Sequence, residues 1–432
     1  MKAYVFSLII SNCYIDCRGS IMNVFSGVIL VTLIAVYLLN LTADHLNLQM
    51  VRTDLPDEFK DVYDKETYKK SQEYLKVNTR FGWLTSSFSL FVLIIFWFFK
   101  GFQLLDHFLR HLGFNTIITG ILFMGVLIAA KSIISLPFSL YDTFVIEERF
   151  GFNKTTLKTF LGDLIKGVIL SVILGVPLLA AILYFFEHAR FAWLYCWITV
   201  VVFMLLMNYL IPTVILPLFN KFEPIEDGEL KSAIMNYARS INFPLTNVFK
   251  MDGSKRSSKS NAFFTGFGKN KRIVLFDTLI AQHSICELVS VLAHEMGHYK
   301  MKHIQKTMII GILQAGLVFY ILSVCLSQKG LFDAFYMETM STYAGLIFFS
   351  LLYTPVDLFS GILMQMFSRK NEFEADHFAV TSTKDTISLK NALIRLSANN
   401  LGNLFPHPLY VMLNYSHPPI MKRIDAIMKT IP

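Results

Sequence analysis

Two histidines four residues apart, His294 and His298, with Glu295 beside the first, form the pattern HEMGH within VSVLAHEMGHYKMK, Val289 to Lys302. In an α-helix residues i and i+4 share a face, so the two imidazoles can offer one nitrogen each to a single metal ion while Glu295 sits near its bound water. That layout suits zinc-assisted hydrolysis. A histidine pair on an amphipathic helix is also common as ordinary core and surface, so a second segment has to lend weight. It is SRKNEFEADHFAV, Ser368 to Val380, which puts Glu372 and Asp376 one helical turn apart. A two-histidine hydrolytic site needs a third protein ligand and keeps a fourth position for water. Glu372 can supply that ligand, and Asp376 can accept the outer N–H of a ligating histidine.

The other histidines fit less well. The metzincin spacing needs histidine at 304 and glycine at 301, and Ile304 and Met301 exclude it. His303, one residue off, is expected to cap the helix end, where a cation is favoured. His377 points about 100° away from Asp376 around a helix and is expected to be structural or exposed. His45, His107, His111, His188 and His283 fall in expected loops or span edges and are read as solvent-facing or interfacial.

What must position these residues is a membrane. Hydrophobic residues make up 54% of the chain and charged ones 16%, so much of the surface has to be solvated by lipid. Apolar runs long enough for a hydrocarbon core of about 30 Å occur near Ile21 to Leu41, Phe81 to Phe99, Phe114 to Leu136, Leu164 to Phe186, Phe191 to Leu210, Thr307 to Leu326 and Tyr343 to Phe367. Asp163 and Lys166 open the fourth run, Pro177 interrupts it, Asn208 lies in the fifth, and Pro355 and Asp357 in the seventh. An ionisable group at membrane depth faces a bundle interior or water, so Asp357 favours an internal aqueous space. Arg52, Lys60, Lys65, Lys69, Lys70, Lys76 and Arg80 lie between runs one and two, against Arg190 alone between four and five and Lys329 between six and seven. The positive-inside rule then puts the rich loops in the cytosol, the N-terminus in the lumen and both ligand segments within cytosolic reach. The net charge of +8 is explained by this arrangement, and no nucleic-acid motif accompanies it.

The start, MKAYVFSLII, is a short apolar stretch followed directly by a full span and is expected to stay uncleaved. Cys13, Cys17, Cys196, Cys286 and Cys325 are odd in number and scattered, against a disulfide framework or cysteine-ligated metal; Cys286 is expected as a small core residue. Of the sequons at Asn40, Asn153 and Asn414, the last two fall on the cytosolic side.

Four regions follow: 1–218 with five spans, a cytosolic unit 219–306 bearing the HExxH helix, spans six and seven in 307–367, and a cytosolic part 368–432. Within the second, Glu226, Asp227 and Gly228 signal a helix start, Leu230, Ile234, Ala238 and Ile241 keep helical spacing, and Pro244 ends it. Val248 to Met251 and Ile273 to Phe276 read as short strands, giving a small unit of helices with a strand or two. Asn261, Ala262, Phe263 and Phe264 form either an ordinary hairpin edge, with Lys255, Arg256 and Lys259 a solvated basic loop, or an edge strand that pairs with a peptide's backbone. In NYSHPPIMKRIDAI, His417 precedes two prolines and is held extended. It and Arg423 can be structural, or can support a developing oxyanion.

HEMGH, SRKNEFEADHFA and YSHPPIMKRI together resemble the membrane zinc peptidases of the CaaX prenyl protease 1 type, with looser similarity to bacterial heat-shock membrane proteases. YKKSQEYLKVNTRF, PFSLYDTFVIEERFGFNKTT, IPTVILPLFNKFEPIEDGEL and INFPLTNVFKMDGSKRSSKSNAFFTGFGKNKRIVLFDTL look like the same family. The likeness implies an all-α multi-pass fold, seven spans enclosing an aqueous chamber, with a small α+β gluzincin-like unit. It implies one Zn²⁺ held by His294, His298 and Glu372, Glu295 as general base, and Asp376 outside the ligands. It also implies His417 and Arg423 at the oxyanion, the Asn261 to Phe264 strand on the substrate backbone, and residence in the endoplasmic reticulum and inner nuclear membranes. Glu374 stands where some relatives have glutamine, but two residues from Glu372 it points to another helix face. The activity implied is removal of the last three residues from prenylated CaaX proteins. The rival enzyme is a general quality-control protease acting on misfolded or translocon-stalled chains, with the Sec translocon as partner. The rival of another class is a non-catalytic membrane scaffold, which has no need of a base at Glu295.

Overall fold

The computed structural model describes residues 23–52, 54–265 and 271–430. MKAYVFSLII, Cys13, Cys17, the start of the first apolar run at Ile21 and part of the segment after Phe264 lie outside the described residues.

Six helices are long and apolar enough to cross a membrane, and a bent pair supplies a seventh crossing. They are α1 (Val24–Gln49), α2 (Lys65–Phe98), α4 (Thr116–Glu147), α5 (Leu157–His188), α6 (Ala192–Phe219), α10 (His303–Cys325) and the pair α12 (Thr342–Leu352) with α13 (Thr354–Thr383). Short helices α3 (Gly101–Arg110) and α11 (Lys329–Asp333) join them. The seventh apolar run is thus two helices meeting at 57°. Pro355 is the reason: it lacks the N–H that a continuing helix needs but is tolerated in the first turn of a new one.

Neighbours in sequence are neighbours in space. α1 meets α2, where Trp83 Nε1 donates to Asp44 Oδ2 at 3.0 Å and Tyr37 and Ser87 hydroxyls lie 2.8 Å apart. Phe81 and Phe88 of α2 pack on Phe138 of α4. α4 to α5, α5 to α6 and α6 to α10 follow, the last through Trp197 Nε1 donating to Ile312 O at 2.8 Å. Gln314 of α10 bonds to Ser360 of α13 at 3.3 Å, and α13 returns to α1. The seven crossings therefore close a ring.

Burial shows that the ring is hollow. In α1 the buried residues are Ser26 and Ile29 at one end and Ala43 and Asn47 at the other; in α2 they are Tyr68, Ser71 and Gln72, then Trp97. In the six single-helix crossings no more than 17% of the spanning window is buried. One apolar core, with Trp97, Phe102, Phe123, Phe332, Phe335 and Phe348, closes one end, where α12 leans across α4, α5 and α1. Between this plug and the other end, α13 presents Thr354, Asp357, Gly361, Gln365, Ser368 and Glu372 at three- or four-residue spacing, a single stripe that is polar except at the glycine. The opposite stripe, Phe359, Leu363 and Met366, is apolar and half-exposed or more, as lipid demands. Asp357 borders a cavity of about 420 Å³ with Ile182, Val318, Phe319 and Tyr353, in keeping with its expected place beside interior space.

The other end is capped by a unit with a four-stranded sheet, order β1-β2-β4-β3, rather than a strand or two. The strands are β1 (Phe222–Pro224), β2 (Leu245–Met251), β3 (Ala262–Thr265) and β4 (Lys271–Phe276). β2 and β4 run parallel, and β1 and β3 flank them antiparallel. Helices α7 (Glu229–Ser240), α8 (Asp277–Gln282), α9 (Ile285–Lys300), α14 (Thr386–Asn399), α15 (Pro408–Asn414) and α16 (Ile420–Met428) complete it. Ile234, Val248, Ile273, Leu275, Leu292, Met296, Ala379 and Leu393 form its main core. Phe59 and Tyr63, between α1 and α2, pack on Ile394 and Ile424, so the loops of the ring are part of the cap.

Candidate metal centre

Helix α9 begins at a reciprocal cap, in which Glu287 N–H donates to the Ser284 hydroxyl and Ser284 N–H to the Glu287 carboxylate. It lies against α13 at close range because residue 297 is glycine. A Cβ there would stand 3.3 Å from the Ala375 backbone and 3.0 Å from Phe378. That approach brings Glu372 to the histidines. His294 Nε2 and His298 Nε2 are 3.1 Å apart, and the two Glu372 oxygens lie 3.4 Å from the first and 3.3 Å from the second.

Tetrahedral ligands about 2.0–2.1 Å from one cation sit roughly 3.3–3.4 Å from one another, so the three side chains fit a metal. Glu372 Oε2 is buried with no hydrogen-bond partner, a costly state for a carboxylate oxygen that a cation relieves. Among the described residues no other group of three or more such side chains converges in this way. Two imidazoles and a carboxylate suit a borderline dication.

Each of the two rings is held from behind. Asp376 Oδ1 lies 2.8 Å from His294 Nδ1 and fixes Nε2 as the free nitrogen. Burial opposes charge on His294, yet its bonds to Asp376 and Glu372 carry its pKa up to about 9; a cation at Nε2 takes the place of that proton. Arg423 grips Asp376 with two bonds, Nε to Oδ2 at 2.8 Å and Nη2 to Oδ1 at 2.6 Å, and is buried.

The expectation for His303 was wrong. It does not cap the end of α9; Lys302 takes a left-handed turn (φ +60°), and His303 opens α10 and folds back beneath His298. The two Nδ1 atoms are 3.0 Å apart, and Glu374 Oε2 lies 3.1 Å from His303 Nε2. Glu374 does point away from the metal position, as expected, but it anchors this second relay. His303→Phe should therefore weaken metal binding by about 10- to 100-fold without unfolding the cap; competition with a chelator measures it, and unchanged affinity would refute the relay.

His283 and Cys286 also differ from expectation. His283 is buried, and Cys286, in the first turn of α9, is exposed. His377 is exposed, as expected. His417 side chain is 64% exposed, with Nε2 3.4 Å from Glu372 Oε1, and stands on the open side of the cluster. Its loop is fastened by Arg369, one turn before Glu372, whose Nη1 donates to Val411 O and Tyr415 O at 3.1 and 2.6 Å. Arg369 was not singled out from sequence; its spacing from Glu372 was the available signal.

β3 is an edge of the sheet. Phe276 N–H donates to Asn261 O at 3.1 Å, so by strand alternation Ala262 and Phe264 turn their backbone groups outward. Arg256 and Lys259 are not a solvated loop: each is about two-thirds or more covered and ion-paired, to Asp163 and Glu147.

A hollow ring of membrane helices with this cluster at one end defines a membrane-embedded metallopeptidase. Residues 44–221 match the family model described as CAAX prenyl protease N-terminal, five membrane helices, and residues 224–431 match peptidase family M48. The chain is 39% identical to the CAAX prenyl protease 1 homolog of Arabidopsis thaliana over 86% of its own length and 90% of the relative's. It is 33% identical to CAAX prenyl protease 1 of Saccharomyces cerevisiae, over 88% and 89%. The crystal structure of S. mikatae Ste24p superposes with a TM-score of 0.88 at 33% identity, covering 93% of this chain and 99% of that one. The chain belongs to the CAAX prenyl protease 1 family of M48 metallopeptidases.

Proposed function

We propose that this protein is a zinc endopeptidase that removes the last three residues from prenylated CaaX proteins, in the endoplasmic reticulum and inner nuclear membranes, with its metal centre on the cytosolic side. The observation that carries it is the His294–His298–Glu372 cluster at the mouth of a hollow ring. A prenyl chain prefers lipid or an apolar wall while a peptide bond needs water and a metal, and a water-bearing ring within the bilayer serves both.

When bound, zinc supplies Lewis-acid polarisation of the scissile carbonyl and acidifies the attacking water. His294, His298 and Glu372 would hold it. Glu295 takes the water's proton and passes it to the leaving amine; burial raises its carboxyl above the usual range, toward the operating pH where a base works best. The Ser416 hydroxyl lies 2.9 Å from His417 Nδ1, and donating there leaves Nε2–H to support the oxyanion. Arg423 acts at the oxyanion mainly through its positive charge, since Nε and Nη2 are committed to Asp376 and Nη1 lies 3.6 Å from Glu372 Oε2. Asn261, Ala262, Phe263 and Phe264 present the edge on which the substrate backbone lies, through the outward groups of Ala262 and Phe264.

Product analysis tests this reading. Mass spectrometry of a farnesylated CaaX peptide should show loss of its last three residues, with an unprenylated twin cut far more slowly. Equal rates on both would favour the general protease. For sidedness, Cys286 should react with a membrane-impermeant maleimide added outside sealed microsomes, and Cys286→Ala should abolish that labelling of the cap. Labelling only after the membrane is opened would reverse the topology.

A further inference from the structure

Arg256 and Lys259 lie in the chain just ahead of β3, and both reach into the membrane ring. Arg256 donates through Nε and Nη2 to Asp163 of α5 at 2.7 and 3.0 Å, through Nη1 to Asn220 Oδ1 at 2.8 Å, and through Nη2 to Phe219 O at 2.8 Å. It thereby ties the fourth crossing to the end of the fifth. Lys259 Nζ donates to Glu147 Oε2 at the end of α4 at 2.8 Å and to Tyr74 OH of α2 at 2.9 Å, and lies 4.4 Å from the Phe152 ring centroid. Tyr74 OH also bonds to Glu147. The backbone between them is held too, since Ser258 N–H donates to Phe152 O at 3.0 Å.

From the other side, the cap grips the next residue. Asn400 Oδ1 accepts from Ser260 N–H at 3.1 Å, and the Ser260 hydroxyl donates to Gln282 Oε1 at 2.6 Å. Pairing with β4 begins one residue later, where Asn261 O accepts from Phe276 N–H just ahead of β3. An edge strand can bind a peptide only if it stands at a fixed distance and register from the reacting atoms, since misplacement by about 1 Å can cost about 100-fold.

We propose that Lys259 with Glu147 and Tyr74, and Arg256 with Asp163, are positioning residues that set the substrate strand from the membrane spans, so that the geometry of the ring fixes how tightly a peptide is held beside the metal. This rests on the reading of β3 as the substrate strand. Neither cation touches a metal ligand or Glu295 in the structure, so their loss should act on peptide binding rather than on the chemical step.

The test compares Lys259→Met/Glu147→Gln with Ala262→Pro in the full-length protein. The double variant removes both charges together, because a lone buried partner is costly. Proline at 262 removes an outward N–H whose one bond in the structure is to the neighbouring Asn261 Oδ1 at 2.8 Å, a change that an edge strand tolerates. The latch predicts that the double variant raises KM for the farnesylated peptide at least tenfold, keeps kcat within about twofold, and retains one metal per chain and its Tm. Lys259→Arg should restore KM. If Ala262→Pro raises KM and the double variant does not, the latch is wrong while the strand reading stands. If neither changes KM, the strand reading fails and the latch with it. Parallel loss of metal, Tm and activity in the double variant would reduce the cluster to fold support and overturn the proposal.

Discussion

Glu295→Gln should give a folded, metal-loaded protein whose turnover is lower by at least about 10³-fold, within the range that general acid–base catalysis contributes. Glutamine matches the volume of glutamate but cannot take a proton. Glu295 is outside the convergent trio, so its change leaves both imidazoles and Glu372 in place. Arg423 loses one neighbouring negative charge but keeps its two bonds to Asp376, so the floor of the site should hold. Metal analysis and single-turnover cleavage of the same preparation separate the two effects. Near-normal cleavage would remove Glu295 from its role.

Glu372→Gln should have the opposite signature, with metal and activity lost together. Glu372 is the only anionic donor of the three, and both of its oxygens face the imidazole nitrogens. An amide oxygen binds a dication far less well, so affinity should fall by more than the 10- to 100-fold expected for a residue behind the ligands. The fold should survive, because Arg423 lies 3.6 Å from Glu372 but is held chiefly by Asp376. Added zinc should raise the Tm of the wild type by mass action and leave the variant's unchanged. Full metal content in the variant would mean the trio is not the binding site.

Much of this site was legible because its chemistry is local. His294, Glu295 and His298 share one turn of helix, and Glu372 and Asp376 another, so helical spacing alone groups them. Seven apolar runs were enough for seven crossings. What could not be read depends on backbone conformation or on partners distant in sequence. His303 returns to His298 only because Lys302 adopts a left-handed conformation, which nothing in a lysine announces. Glu374 points away from Glu372 on its own helix yet meets His303 because that residue belongs to the next one. Arg256 and Lys259 look like solvated loop charges by composition; their partners Asp163 and Glu147 are 93 and 112 residues away. Cys286 and His283 exchanged expected places for the same reason, since which face of a helix's first turn is covered depends on what packs there. The strand that the sequence does not announce is β1, whose three residues are too few for alternation to show.

The central claim is that one zinc ion, held at His294, His298 and Glu372, makes this hollow membrane protein a peptidase. The most direct measurement strips the purified protein with a chelator and restores zinc in substoichiometric steps, following cleavage of a farnesylated CaaX peptide at each step. The account predicts no cleavage in the stripped protein and a linear rise that saturates at one zinc per chain, with no recovery in Glu372→Gln. Cleavage by the stripped protein, or activity that does not track zinc up to that equivalence, would contradict it.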